Sequence, residues 1–291
     1  MFIGFMVLVV LFGTVIFHFM SPWGLTEIAS DWGFIDTTID ITFWVTGVVF
    51  ILVLLFLAYC VVKYKYQPDR RSEYEPENKK LETWLTVLTT VAVAALLAPG
   101  LLAWKDFVTV PEDAVKVEAL GQQWQWSFRY PGADGKLGLV DTTKITYENP
   151  FGIHMDDPNG QDDVLIAGDN LHLELGQPVQ VLLRSTDVLH DFFVPEFRAK
   201  MDLIPGHVTY IWLTPTRKGT FDIMCFELCG EGHYLMRSQV TVEDTADYNS
   251  WLQEQQTFAQ SLADAGTGDT DRKAPVLGLA DATAAKRTAT E

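Results

Sequence analysis

Positive charge is scarce in this sequence. Lys and Arg number 21 against 38 Asp and Glu, for a formal net charge of −17. From residue 107 onward, 28 Asp and Glu face 14 Lys and Arg, so −14 of the −17 lies there. Such a surface repels nucleic acid and draws basic partners in a salt-dependent way. Cysteine is scarcer still, with three in 291 residues. Cys60 sits in an apolar run and reads as a small buried hydrophobe. No Cys-x-x-Cys-His is present, so no c-type haem is attached by that motif. Phosphate-binding glycine loops and serine or cysteine triads are also missing.

Long apolar runs are present, and they are confined to the N-terminal third. Residues 1–20 are almost wholly apolar, without a basic leader, and read either as a signal peptide or as an additional membrane helix. Residues 21–106 read as a transmembrane hairpin, with helices at about 41–62 and 84–104. Lys63, Lys65, Arg70, Arg71, Lys79 and Lys80 lie between these helices, which puts that loop in the cytoplasm. The chain then emerges on the outer side near Lys105. Glu82, at the cytoplasmic mouth of the second span, is an ionisable group at membrane depth and therefore a candidate for function.

Beyond Val115 the pattern changes to short alternating runs bounded by Gly, Pro and Asp. Eight strands are predicted, at 114–120, 123–130, 163–167, 170–175, 179–185, 208–214, 219–224 and 236–242. Residues 107–245 then form an antiparallel β-domain, a sandwich of cupredoxin-like Greek-key type. Residues 131–162 look like an insertion across its surface. Trp126, Phe128 and Tyr130 share one strand face and suit a core. Within 246–291, a terminal amphipathic helix is expected up to residue 262, followed by a disordered tail.

One stretch concentrates the chemistry: Cys225-Phe-Glu-Leu-Cys229-Gly-Glu-Gly-His233-Tyr-Leu-Met236. Thiolate, thioether and imidazole together favour copper, and a second cysteine supplies enough sulfur to bridge two ions. His190, in Asp187-Val-Leu-His190, offers a second imidazole, and the Glu227 carbonyl a weak ligand. Three readings compete with copper. A Cys225–Cys229 disulfide suits an oxidising compartment. A tetrahedral zinc site leaves Met236 unexplained. A redox dithiol normally has two residues between its cysteines rather than three. His154 and His172 fall outside the cluster.

The joint pattern Cys-x-Glu-x-Cys-Gly-x-x-His-x-x-Met, preceded by Asp-Val-x-His and Lys200-Met-Asp-Leu-Ile-Pro-Gly206, resembles subunit II of the haem-copper cytochrome c oxidases, over roughly residues 30–245. The resemblance implies a binuclear copper centre, CuA. Cys225 and Cys229 would bridge, His190 and His233 would be terminal, and Met236 and the Glu227 carbonyl axial. It also implies that the Glu227 side chain shares a magnesium ion with subunit I. Trp124 would be the point where electrons arrive from cytochrome c, Asp187 part of the acidic docking surface, and Glu82 the mouth of a K-type proton path.

Two positions depart from the family. Thr186 stands where an acidic residue is frequent, and His207 where Arg is. The implied setting is a bacterial inner membrane, with the C-terminal domain in the periplasm. The implied partners are subunit I, which would hold the haems and reduce oxygen, and subunit III. A membrane nitric oxide reductase would use the same half-chain, and a copper-delivery protein is the alternative outside electron transfer.

Overall fold

A computed structural model describes residues 2–21, 24–71 and 74–266. The expected tail falls largely outside the described residues. The chain divides into two compact units, one of residues 1–26 and 33–106, the other of residues 27–32 and 107–291.

Among the described residues, the first unit contains three helices: α1 (Phe2–Met20), α2 (Gly33–Lys63) and α3 (Lys79–Val108). All three are long and apolar enough to cross a membrane. α1 packs on α2 through Gly4, which is buried along with Leu11 and Ala58. A Cβ at Gly4 would lie 2.7 Å from Val62 Cγ2, so glycine permits the close approach. α2 and α3 both begin before their apolar stretches. In α2 the hydroxyls of Thr38, Thr42 and Thr46 each donate to the carbonyl four residues back, at 2.7–2.8 Å. That satisfies these hydroxyls without solvent. α3 starts earlier because Asn78 caps it, its Oδ1 accepting from the Leu81 amide at 3.1 Å.

The second unit is a two-sheet sandwich of ten strands: β1 (Val115–Gln122), β2 (Gln125–Tyr130), β3 (Val164–Ala167), β4 (Leu171–Glu174), β5 (Val179–Ser185), β6 (His190–Val194), β7 (Ala199–Leu203), β8 (Thr209–Leu213), β9 (Gly219–Cys225) and β10 (Arg237–Glu243). One sheet runs β3-β2-β1-β5-β8 and the other β4-β10-β9-β6-β7. The sheets are mixed, not purely antiparallel, because β1 pairs parallel with β5 and β4 parallel with β10. β6 and β7 are additional to the eight expected strands. The Pro195–Phe197 turn between them, closed by Arg198 at φ 54°, obscures their pattern. Among the described residues, this unit also has three α-helices: a short α4 (Pro158–Gln161), α5 (Thr245–Glu254) and α6 (Phe258–Gly266). The single terminal helix expected is therefore two, broken at residues 255–257.

Trp126, Phe128 and Tyr130 are fully buried on the inner face, where Trp126 meets Phe192 of the other sheet edge-on at 5.9 Å. The opposite face of the first sheet is also covered. Leu120 packs there with Phe151 and Ile153 of the insertion and Phe258 of α6. Beside this cluster, Glu118 accepts from Arg129 Nε at 2.7 Å and from Arg184 Nη1 at 2.6 Å. Arg129 Nη1 reaches Asp163 Oδ2 at 3.0 Å. Four charged side chains are thus buried as a network, which satisfies most of their polar atoms.

Residues 27–32 are built into this unit. The Ala29 amide donates to Glu196 O at 2.7 Å, Ser30 Oγ to Phe197 O at 2.8 Å and Trp32 Nε1 to Trp212 O at 2.9 Å.

Candidate metal centre

His190 opens β6 and Cys225 closes β9, two strands that are neighbours in one sheet, so a separation of 35 residues becomes contact. His190 Nδ1 is 3.9 Å from Cys225 Sγ, and the two sulfurs of Cys225 and Cys229 are 3.7 Å apart. That separation exceeds the roughly 2.05 Å of a disulfide, and both thiols are free. Cys229 Sγ lies 3.5 Å from His233 Nδ1 and 3.9 Å from Met236 Sδ. The carbonyl of Glu227 is 3.2 Å from Cys225 Sγ. His190, Cys225, Cys229 and Met236 are buried, and His233 and Glu227 half-buried.

The packing explains how the cluster is held. Gly121 lies under the His190 ring, where a Cβ would come within 3.1 Å of Cδ2. A 3-10 turn, His233–Leu235, swings Met236 inward; its amide bonds His233 O at 3.2 Å, and its carbonyl accepts from the Cys225 amide at 3.2 Å. His190 Nε2 faces Asp187 Oδ1 at 2.8 Å. An ionised carboxylate only accepts, so Nε2 turns an N–H to Asp187 and Nδ1 is the ring nitrogen that faces the sulfurs.

Electrostatics separate the two thiols. Burial opposes ionisation of Cys225, yet His190, the amides of Asp191 and Glu227 and the Cys229 thiol bring it down to about 6. Burial, and then the neighbouring Cys225, push Cys229 up to about 12. Cys225 is therefore the more readily ionised of the two thiols. Burial would also raise Asp187, but the Gln123 amide, His190 and the Val188 amide hold it below the ordinary carboxylate range.

His190, Cys225 and Cys229 form a group able to hold a metal ion. The buried thioether of Met236 makes the donor set softer than zinc requires and suits copper. Trp124 is 40% exposed and its Nε1 donates to Cys229 O at 3.3 Å, so the indole sits directly on the metal loop. Asp187 is exposed at the surface, with 30% of its side chain accessible and both carboxylate oxygens bonded to neighbouring groups. Glu82 is far away in sequence, in the first turn of α3, where Oε1 takes the Asn78 amide at 3.4 Å. His172 stacks on Trp251 at 4.0 Å and bonds Glu243, outside the cluster, and His154 meets Lys144 at 3.1 Å.

Residues 115–243 match the family model for the periplasmic domain of cytochrome c oxidase subunit II. The alternative cytochrome c oxidase subunit 2 of Bradyrhizobium diazoefficiens is 59% identical over 257 residues, covering 88% of this chain and 93% of that one. The chain belongs to the cytochrome c oxidase subunit II family. Cytochrome c oxidase subunit 2 of Cereibacter sphaeroides is 26% identical over 212 residues, 70% of each chain. The crystal structure of the periplasmic domain of subunit II of cytochrome oxidase of Bradyrhizobium japonicum matches with a TM-score of 0.37 and 26% identity, over 50% of this chain and 95% of that one.

Within this subunit II chain, some contributors to the site carry no ligand signature in the sequence. Gln123 reaches it by hydrogen bonds to Cys229 and Asp187, and Ser185 by one to Asp187. Gly121, Gly230 and Gly232 leave room for His190 and Trp124. The Gly-x-Gly within the metal loop was the available hint.

Proposed function

We propose that this chain receives electrons from a c-type cytochrome and passes them to haem in subunit I of a respiratory oxidase. The observation that carries this reading is the buried cluster of two free thiols 3.7 Å apart, flanked by His190, His233 and Met236. Cys225 and Cys229 would hold two copper ions between them. His190, His233, Met236 and the Glu227 carbonyl would complete the set of groups that holds them. A centre of this kind gains and loses one electron at a time.

The remaining residues serve that exchange by geometry. Asp187 fixes the His190 ring, and the sheets hold both ligand segments, so little needs to move when charge changes. Trp124, part-exposed and bonded to the Cys229 carbonyl, offers the route from the surface. The acidic exterior, Asp187 included, would steer a basic donor. Glu227 would turn its side chain to a magnesium ion shared with subunit I, and Glu82 would open the K-type proton path there. The helices would lie in a bacterial inner membrane, packed against subunit I with subunit III nearby. Oxygen reduction and proton pumping would belong to the complex.

The test is rapid mixing of the purified complex with a reduced c-type cytochrome. Electron uptake should slow steeply as salt rises, and Trp124→Gln should slow it strongly while metal content stays at the wild-type level. Uptake indifferent to both would favour copper delivery instead.

A further inference from the structure

Two segments supply the donor cluster, His190 at the start of β6 and Cys225–Met236 between β9 and β10. The second gains little from burial on its outer side, where Phe226, Leu228, Tyr234 and Leu235 are all exposed. A loop of that kind needs specific bonds to stay ordered.

Those bonds come from the turn between β1 and β2. Gln123 Nε2 donates to Cys229 O at 2.8 Å, and Trp124 Nε1 donates to the same oxygen at 3.3 Å, using both lone pairs. The Gln123 amide donates to Asp187 Oδ2 at 2.7 Å, while Oδ1 of that carboxylate faces His190. Gln122 Nε2 adds a bond to Thr186 Oγ1 at 3.0 Å. One residue thus touches the cysteine arm with its side chain and the histidine arm with its backbone.

The fit is close. A Cβ at Gly230 would stand 3.0 Å from Gln123 Nε2, and one at Gly232 2.3 Å from Trp124 Cδ2. Gln123 itself is exposed, so neither core packing nor its place in the turn calls for glutamine.

We propose that Gln123 is a positioning residue that locks the cysteine loop to the histidine arm before metal arrives. This rests on reading the cluster as a metal centre. The side-chain amide fixes the Cys229 carbonyl, and the backbone amide fixes Asp187 and through it the His190 ring. Metal then meets donors already in place, which keeps reorganisation small.

Gln123→Ala and Gln123→Glu separate this from other roles, measured on the full chain in detergent. Glutamate has the same length but no donor for Cys229 O at neutral pH. In metal-free protein, amide exchange across residues 226–235 should quicken about tenfold in both variants, the effect of one lost hydrogen bond. Exchange in the strands should not change. Copper release to a chelator should quicken about tenfold as well. Loop exchange equal to wild type, even with slower electron uptake, would overturn the proposal and leave Gln123 a surface contact for the donor. Exchange raised equally in every strand would overturn it in favour of a general stabilising role. If wild-type protein failed to bind copper, the functional reading would fall while the exchange comparison still decided this point.

Discussion

His190 Nε2 and Asp187 Oδ1 lie 2.8 Å apart, with the ring fully buried and the carboxylate bonded also to the amides of Gln123 and Val188. The pairing sets which ring nitrogen faces the sulfurs, so removing it should harm metal binding. Asp187→Asn is expected to lower copper affinity by about 10–100-fold in chelator competition, with the fold intact. Unchanged affinity, with only the salt dependence of donor binding altered, would confine Asp187 to the docking surface.

Gly232 gives a second prediction. A methyl group there would overlap the Trp124 ring at 2.3 Å, and neither the ring nor the loop backbone yields cheaply. Gly232→Ala should cost about 1–3 kcal/mol and displace the indole. A thermal melt and tryptophan emission would read both effects. A variant with the wild-type melting temperature and emission would show that the loop simply shifts aside.

The ligand motif was legible because five of its donors lie within twelve residues, and Asp-Val-x-His marked the sixth. Strand alternation revealed a sandwich and its Trp126–Tyr130 face for the same local reason. The parallel pairings of β1 with β5 and β4 with β10 were not legible, since register between distant strands leaves no local mark. Glu118, Arg129 and Arg184 alternate like solvent-facing strand residues. They are buried because the insertion and α6 cover that face of the sheet. The stretch at 27–32 looks like a polar connection, and its place in the β unit depends on Glu196, Phe197 and Trp212.

Asp163 links pH to stability. Burial raises its carboxyl to about 6, against the opposing pull of Arg129 and the Gly138 amide, with Asp162 and Glu118 adding to the rise. Its unfolded value is 3.8. The folded state therefore holds the proton more tightly. That contribution is fully present below about pH 4 and is lost as pH rises through 6, up to about 3 kcal/mol. Asp163→Asn should remove this component. Relative to the variant, metal-free wild-type protein should lose urea resistance between pH 4.5 and 7. Parallel pH profiles would show that Arg129 fully compensates the buried charge.

The most direct test of the central claim is to count copper and record the electron paramagnetic resonance spectrum of the full chain in detergent, alongside Cys225→Ser. Two coppers per chain sharing one unpaired electron, with that signal abolished by the serine, is the predicted result. A single copper with a one-ion spectrum, or a metal count that Cys225→Ser leaves unchanged, would contradict it.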